Sequence, residues 1–373
     1  GYHYMVVVLA ARECEELGEI RFNGEVVPLD GSGNATGAYA GYAQVRKFTG
    51  LAAGERDTTW ESEISSKWTS AHVGKNIARL HIRLKWSSEI FPEGIPAVTC
   101  KVKGAKVYDP REVSHDPDDP TTWAYSTNSA LCTADLLHDA RFGKGVAWSR
   151  IREAELIEAA NICEEQILLA DGVTYENRYD ANGTYLTSQD PLEGVLDLAG
   201  SMAGHVCDAG GLWTIRAGAW RTPVLTLDDG DMAGSFSCVP RASRQDTYNG
   251  VRGTYISETN DWAAADFPAV KNDTYMGWDG DVRLWKDIAL PYTTSPAMAQ
   301  RLAKIDLEVG RQQIIVTGDY MLKAMQCQPG DVIMLTRARL GWSDKYFEVT
   351  SWQLKLIQAG DGLGLVVALG LRE

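Results

Sequence analysis

The alternation of hydrophobic and polar residues is clearest within residues 78–111. Every second residue from 80 to 86 is apolar, and the residues between them are His, Arg and Lys. Residues 98–103 alternate in the same way. A period of two over such lengths predicts strands with one buried and one exposed face. The Pro- and Gly-containing connection between these segments predicts an antiparallel pair joined by a long loop, which acts as a scaffold.

The same patterns predict the other elements of the chain. Asn23-Gly24 lies between strand-like segments and predicts a hairpin, and Asn182-Gly183 predicts a second one. Apolar residues at helical spacing predict helices at residues 129–140, 149–170 and 191–207. A further helix is expected to begin at Ser295-Pro296, because Ser suits the N-cap and Pro the first helical position. Short strands are predicted at residues 4–9, 211–217, 314–317, 320–325, 332–336, 346–356 and 364–371.

These elements predict an α+β fold that is multidomain and β-rich. Short strands with regular turns near the C-terminal end favour a small barrel or sandwich. We expect a β-rich domain with hairpins and an inserted loop over residues 1–112 and a helical or mixed domain over 113–224. A β-rich, barrel-like domain with one helix is expected over 225–373.

Charge and cysteine usage narrow the class of protein. The chain carries 36 Lys and Arg against 50 Asp and Glu, a formal net charge of −14. Nonspecific nucleic-acid binding needs clustered positive charge, so this composition argues against it. The 7 cysteines are scattered without a C-x-x-C motif, which predicts reduced thiols in a protein folded in a cytoplasm. No segment has the apolar length of a membrane span.

The chain opens on a predicted strand and lacks an initiating Met. We therefore expect it to be an internal piece of a longer polypeptide.

Enzyme motifs are absent from the sequence: it contains no G-x-S-x-G, H-E-x-x-H, Walker A or G-x-G-x-x-G segment. Ser114, His115 and Asp116 stand in a row, but a catalytic triad is normally assembled from distant positions. His205 near Cys207 is more typical of a core or a helix end than of a nucleophile pair. We predict no catalytic residue and no cofactor site.

Acidic residues suggest two kinds of site, a metal site and the active site of a glycoside hydrolase. The clusters at residues 116–119 and 228–231 have the carboxylates that a hard cation prefers, but solvated acidic turns are commoner, so no metal site is predicted. Glutamates along the helix at 149–170 are candidates for the paired carboxylates of a glycoside hydrolase. They share one helix, whereas an acid/base pair must face across a substrate, so an exposed helix face is favoured.

Tryptophan is abundant, with 12 residues. Those on predicted strands are expected in the core: Trp86, Trp213 and Trp352. Trp262, Trp278 and Trp285 lie in a loop-like, Asp-rich region. Because large aromatic residues are enriched at buried subunit contacts, these three are a predicted protein–protein interface, with core packing as the alternative.

Short segments spread along most of the chain carry a family resemblance. They are Phe91-Pro92-x-Gly94-Ile95-Pro96, Val102-Lys103-Gly104-x-Lys106-Val107-Tyr108-Asp109-Pro110-Arg111, Asn128-x-Ala130-Leu131-Cys132, Asp135-Leu136-Leu137, Arg141-Phe142-Gly143-x-Gly145, Gly211-Leu212-Trp213, Tyr248-Asn249-Gly250-Val251-Arg252-Gly253 and Gln328-Pro329-Gly330-Asp331-Val332. In this order they resemble the central region of J-type phage tail tip attachment proteins, the hubs of long non-contractile tails. Ser129 stands where relatives usually carry Pro, which removes a helix-start signal.

The resemblance implies a structural virion protein and not an enzyme, without a cofactor. It implies a homotrimer at the tail tip whose β-domains form a ring that continues and closes the tail tube. Expected neighbours are the distal tail protein, the tape measure protein and other tail tip proteins, with host attachment through a receptor bound by segments outside this chain. The ring would open for genome ejection, with transient passage of DNA but no specific binding. Assembly is expected in the host cytoplasm.

Two other function classes stay open from the sequence. One is a tail-associated hydrolase that degrades envelope or polysaccharide, for which Glu158 and Glu165 are the residues to test. The other is a receptor-binding module in its own right. Alternation, turn chemistry and cysteine usage by themselves predict only a multidomain scaffold.

Overall fold

The computed structural model describes residues 1–241, 243, 246–359 and 362–373. The chain divides into two compact units, Gly1–Ser126 and Thr127–Glu373. Both units are rich in strands and contain few helices, so the predicted α+β, β-rich class is confirmed. The predicted division into three domains, at residues 112 and 224, stays a prediction.

The first unit contains three small sheets and one short helix. Its strands are β1 (Tyr2–Ala10), β2 (Glu16–Phe22), β3 (Glu25–Val26), β4 (Ala43–Phe48), β5 (Ala78–Lys85), β6 (Val98–Lys103), β7 (Lys106–Val107) and β8 (Ala124–Tyr125), and its helix is α1 (Thr58–Glu63). The sheets have the orders β1-β5-β4, β3-β2-β6 and β7-β8. The hairpin predicted at Asn23-Gly24 joins β2 to β3, and both turn residues have positive φ.

The predicted pairing of the two most regular strands is wrong. β5 pairs with β1 and β4, whereas β6 pairs with β2 in a different sheet. Leu80 and Ile82 of β5 share a core with Ile20 and Phe22 of β2, and Val98 of β6 packs against it. Alternation reports which face of a strand is buried and carries no information about its neighbour. Here two sheets bury their apolar faces against each other.

The polar face of β5 is covered, contrary to the prediction that it is exposed. His81 is buried, and Trp60 of α1 stacks on its ring with centroids 4.3 Å apart. His81 Nδ1 lies 2.7 Å from Oδ2 of the buried Asp57, and Arg79 Nε donates to His81 Nε2 at 3.0 Å. Trp86, expected in the core, is largely exposed because it follows the last residue of β5.

The second unit contains five helices and fourteen strands within the described residues. The helices are α2 (Ser129–His138), α3 (Glu153–Cys163), α4 (Pro191–Gly200), α5 (Asp273–Trp278) and α6 (Pro296–Arg311). The first strands are β9 (Gln166–Leu168), β10 (Tyr175–Asn177), β11 (His205–Ala209), β12 (Leu212–Arg216), β13 (Leu225–Leu227), β14 (Met232–Val239) and β15 (Gly250–Ser257). The others are β16 (Ala263–Asp266), β17 (Val270–Lys271), β18 (Trp285–Leu290), β19 (Ile315–Tyr320), β20 (Val332–Arg337), β21 (Trp342–Ala359) and β22 (Gly362–Arg372).

Two larger sheets dominate this unit. One has six strands in the order β13-β20-β21-β22-β19-β14, and its core is formed by Tyr320, Phe347, Val349, Leu369, Leu371 and their neighbours. The other has four strands, with β15 at its centre. β9–β10 and β11–β12 are two-stranded hairpins.

Several predicted elements differ from the structure. The three predicted helices end earlier than expected, so His205 lies at the start of β11 and not at a helix end. The predicted hairpin at Asn182-Gly183 is not flanked by strands; the hairpin of this region joins β9 to β10. The strand predicted at 320–325 is largely a 3-10 helix, Leu322–Gln326. The helix predicted to begin at Ser295-Pro296 is confirmed as α6, with Ser295 as its N-cap.

None of the seven cysteines is joined in a disulfide bond. No helix in the part of the chain that the structure describes is both long and apolar enough to cross a membrane.

Candidate protein–protein interface

The three candidate tryptophans all belong to the region of the four-stranded sheet. β15 pairs in parallel with β18 along one edge and antiparallel with β16 and β17 along the other. Helix α6 contributes to the core of this sheet through Ala299, Ala303 and Leu307, which pack with Val251 and Phe267. The sheet is therefore buried on the α6 side.

Asn249 organises one end of this sheet. Its side chain is fully buried and donates to Asp279 Oδ2 and to the Val282 carbonyl, both at 2.8 Å. Its Oδ1 accepts from Leu284 N–H at 3.0 Å, and its own carbonyl accepts from Arg283 Nη1 at 2.9 Å. One amide side chain thus fixes the segment that leads from α5 into β18.

Two glycines of β15 allow β18 to lie close to this strand. A Cβ atom at Gly250 would come within 2.6 Å of the Trp285 ring, so only glycine leaves room for the indole. A Cβ atom at Gly253 would overlap the carbonyl oxygen of Ile288. The segment Tyr248–Gly253, which carried part of the resemblance, is therefore a packing motif for the parallel β15–β18 pair.

Trp285 combines an apolar platform with positive charge. It is 39% exposed, and the guanidinium carbons of Arg252 and Arg283 lie 5.6 and 5.8 Å from its ring centroid. Arg252 also binds Asp287 with an Nε–Oδ1 distance of 2.6 Å. Such an amphipathic aromatic surface is typical of protein contacts.

Trp278 ends α5 and is 72% exposed. Its ring lies 5.2 Å from that of Tyr275, over which Arg311 is placed at 4.8 Å. Tyr275 donates to Glu308 Oε2, and this hydrogen bond, together with burial, raises the pKa of the tyrosine. Arg311 in turn binds Asp279, the acceptor of Asn249. Trp278 is thus exposed on a rigid support.

Trp262 lies at the other end of the sheet from Trp285. Asp261 and Trp262 both have positive φ in the turn between β15 and β16, and Trp262 N–H donates to the Ser257 carbonyl at 2.9 Å. Trp285 is opposite Gly250, at the start of β15. Seven residues of strand separate the two ends, about 23 Å at 3.3 Å per residue. The three tryptophans therefore do not form one patch: Trp278 and Trp285 flank the Asn249 end, and Trp262 belongs to the opposite turn.

The two glutamates weighed for hydrolysis, Glu158 in α3 and Glu165 after its end, form ion pairs with arginines. Glu158 binds Arg221 at 3.2 Å, and Glu165 pairs with Arg178. Each is neutralised locally instead of facing a second carboxylate across a cleft. This arrangement lends no support to the hydrolase alternative.

The acidic turn at residues 228–231 has structural partners as well. Asp228 accepts from Gly230 N–H in a capping box, Asp229 binds Arg337 and Asp231 binds Lys323. Among the described residues, no group of three or more His, Cys, Asp and Glu side chains is arranged to hold a metal ion.

The histidines weighed as catalytic candidates also contact their own surroundings. His115 Nδ1 accepts from Asp109 N–H at 3.1 Å. Burial lowers the pKa of His205, whose Nδ1 lies 3.9 Å from Glu348.

Comparison with known proteins places this geometry in context. Residues 191–352, which include the whole four-stranded sheet, match the family model Phage-tail_3, described as putative phage tail protein. The match spans less than half of the chain. No curated protein matches the sequence.

Among solved structures, a chain of the virion of a native gene transfer agent particle is similar, with a TM-score of 0.60 and 16% identity. The alignment covers 99% of this chain and 78% of that one, which shows a shared fold. The 43 kDa tail protein of prophage MuSo2 from Shewanella oneidensis aligns over 99% of this chain and 88% of its own length, with a TM-score of 0.35 and 10% identity. Prophage tail protein gp18 from Listeria monocytogenes aligns over 98% and 90%, with a TM-score of 0.33 and 11% identity.

Proposed function

We propose that this chain is a structural protein of a phage tail or tail-like particle, and that it forms the central hub of the tail tip. Identical copies, three in the proposed ring, continue and close the tail tube and take part in host attachment and genome ejection. The chain contacts the distal tail protein, the tape measure protein and other tip proteins. It acts through these contacts and not through catalysis.

The match of residues 191–352 to a family of putative phage tail proteins carries this proposal. That segment contains α4, the four-stranded sheet, α6 and much of the six-stranded sheet. The fold shared with a chain of a gene transfer agent virion over 99% of the length supports it for the rest of the chain. The rigid, partly exposed aromatic groups at the Asn249 end of the sheet are the kind of surface that such an assembly buries.

Location within the particle tests the hub role. An antibody against the purified chain, applied to intact particles in the electron microscope, should label one end of the tail. Label along the tube or on the capsid would contradict the hub. Absence from purified particles would contradict a tail protein of any kind.

Trp278 supplies a residue-level test of the proposed contact. Trp278→Ala removes an exposed indole and should lower incorporation of the chain into particles about tenfold or more, as for truncation of an interface anchor. Trp220→Ala is the matched control, because Trp220 is 74% exposed and lies outside this sheet. Incorporation is measured by quantitative immunoblotting of purified particles. Equal incorporation of the two variants would show that Trp278 does not contribute to the interface.

A further inference from the structure

The longest hairpin of the protein extends past the sheet to which it belongs. β21 pairs with β20 only as far as Glu348, and β22 pairs with β19 only up to Val367. Lys355–Ala359 and Gly362–Val366 therefore pair only with each other within the described residues. We call this two-stranded part, residues 354–359 and 362–367, the arm. At about 3.4 Å per residue its unsupported section is roughly 17 Å long.

One face of the arm continues the buried face of the six-stranded sheet. Leu354 is opposite Val367, and Leu356 is opposite Leu365. Because side chains alternate along a strand, the exposed leucines share the face of the buried Val367 and Leu369. Four leucines of this face are between 40% and 77% exposed: Leu354, Leu356, Leu363 and Leu365.

Other parts of the chain cover this face of the sheet only as far as Trp352, where the row of exposed leucines begins. Trp352 Nε1 donates to the carbonyl of the buried Ala324 at 3.3 Å, so the 3-10 helix Leu322–Gln326 covers the sheet there. On the opposite face of the arm, Val366 is buried and Lys355 binds Asp319 at 2.6 Å. The base of the arm is thus covered on this face, whereas its leucine face is uncovered.

An arm of this kind is unfavourable in isolation. A two-stranded hairpin is marginally stable in water, and its free edges and apolar face favour pairing with another chain. The four leucines leave a contiguous apolar surface on the order of a few hundred Å², the size that marks interaction sites on soluble proteins.

Charge favours a second copy as the partner. The chain has a net charge of −14, yet Asp361 is the only acidic residue in the sequence from Val349 to Arg372. Two copies of an acidic chain repel each other except where their facing surfaces lack acidic groups. The apolar face of the arm is such a surface, and a few hundred Å² is a large part of the ~800 Å² that each partner buries in a standard interface.

We propose that the uncovered leucine face of the arm packs against a second copy of this chain. The proposal rests on the proposed function in that the copies are those of the tail hub. It adds the surface through which one copy holds the next: the arm of residues 354–359 and 362–367.

Self-association of the purified full chain tests the arm. Leu356→Glu places an acidic group on the leucine face and should weaken self-association about tenfold or more in sedimentation equilibrium, because a leucine that the contact between copies would bury is replaced by a charge. Gln353→Glu is the matched control, since Gln353 is exposed on the opposite face of the same strand. It should associate like the wild type. Association of Leu356→Glu at wild-type strength, or an equal loss in both variants, would overturn the proposal.

Hydrogen exchange of the unaltered protein gives a second readout that no folding defect can mimic. Amides of residues 354–358 and 363–366 should become more protected as protein concentration rises. A wild-type chain that stays monomeric, or an arm protected only after another tail protein is added, would overturn packing between copies. Antibody labelling of the tail tip does not depend on either result. The proposed function is therefore tested separately from the contact through the arm.

Discussion

At the scale of single residues, His81 makes the first unit sensitive to acid. Burial lowers the pKa of His81, and Arg79 donates to Nε2, which leaves Nδ1–H to donate to Asp57. A histidine whose pKa is lowered by folding stabilises the fold above its unfolded pKa of about 6.5, and this contribution is lost as the pH falls.

Asp57 acts in the same direction. Burial alone would raise its pKa, but the hydrogen bonds from His81 and from Trp60 N–H outweigh burial, so the pKa of Asp57 is lowered. Its contribution is present above about pH 3.8 and is lost below that value. Both groups therefore destabilise the first unit on acidification.

We expect the opening free energy of β5 to fall as the pH is lowered from about 7 to about 5. His81→Gln should flatten this dependence and cost about 1–3 kcal/mol at neutral pH, because buried partners lose a hydrogen bond. Hydrogen exchange of the β5 amides, corrected for intrinsic rates, measures both effects. The exposed His72→Gln is the control. A wild-type slope retained in His81→Gln would assign the acid sensitivity to other groups.

The His81 cluster also marks the limit of what the sequence predicts about residues. Alternation gave the correct apolar face of β5, with Leu80 and Ile82 in the core. It gave the wrong environment for His81, because the cover comes from Asp57 and Trp60, more than twenty residues earlier in the chain. The hydrophobic periodicity of a strand cannot predict that a distant segment covers its polar face.

At the scale of elements, the start of α2 shows which of two helix-start signals matters, a capping side chain or a proline at the first helical position. Asn128 is buried, and its Oδ1 accepts from Ala130 N–H and Leu131 N–H while its Nδ2 donates to the Ala160 carbonyl at 2.9 Å. The helix begins at Ser129 without a proline at its first position, so the cap alone suffices.

Asn128→Ala should therefore lower the free energy of unfolding by about 1–3 kcal/mol, since a cap and a buried hydrogen bond are both lost. Ser129→Pro, at the first helical position, keeps the intrahelical bonds but removes the 3.0 Å hydrogen bond between the buried Ser129 and Ser201 hydroxyls, so it should lower it by about 1 kcal/mol. Chemical denaturation of the two variants measures the difference. A larger loss in Ser129→Pro than in Asn128→Ala would show that the Ser129 side chain, and not the cap, holds the helix.

Elements were predicted better than their pairing. The α6 helix and four strands of the six-stranded sheet, β19 to β22, follow from local pattern and turn chemistry, since Ser295 caps α6 and Gly330 has positive φ. No strand was predicted at β13 or β14. The order β13-β20-β21-β22-β19-β14 joins strands far apart in sequence, and no local signal specifies it.

The candidate interface shows the same limit of prediction from local sequence. All three candidate tryptophans are partly exposed, but the separation of Trp262 from Trp278 and Trp285 depends on the parallel β15–β18 register.

At the scale of the whole molecule, the two units are expected to unfold separately. The strand pairs and core clusters described above each lie within one unit, so cooperative packing is satisfied inside each. Calorimetry of the full chain should show two transitions. Isolated residues 127–373 should reproduce one of them.

Acid should separate the two transitions further. The buried Asp57–His81 pair belongs to Gly1–Ser126, so lowering the pH from about 7 to about 5 should shift the transition of that unit downward more than the other. His81→Gln in the full chain should lower the same transition and leave the other in place. A single transition that shifts as a whole in this variant would mean that the units fold as one cooperative body, and the acid response of β5 would then report on the entire protein.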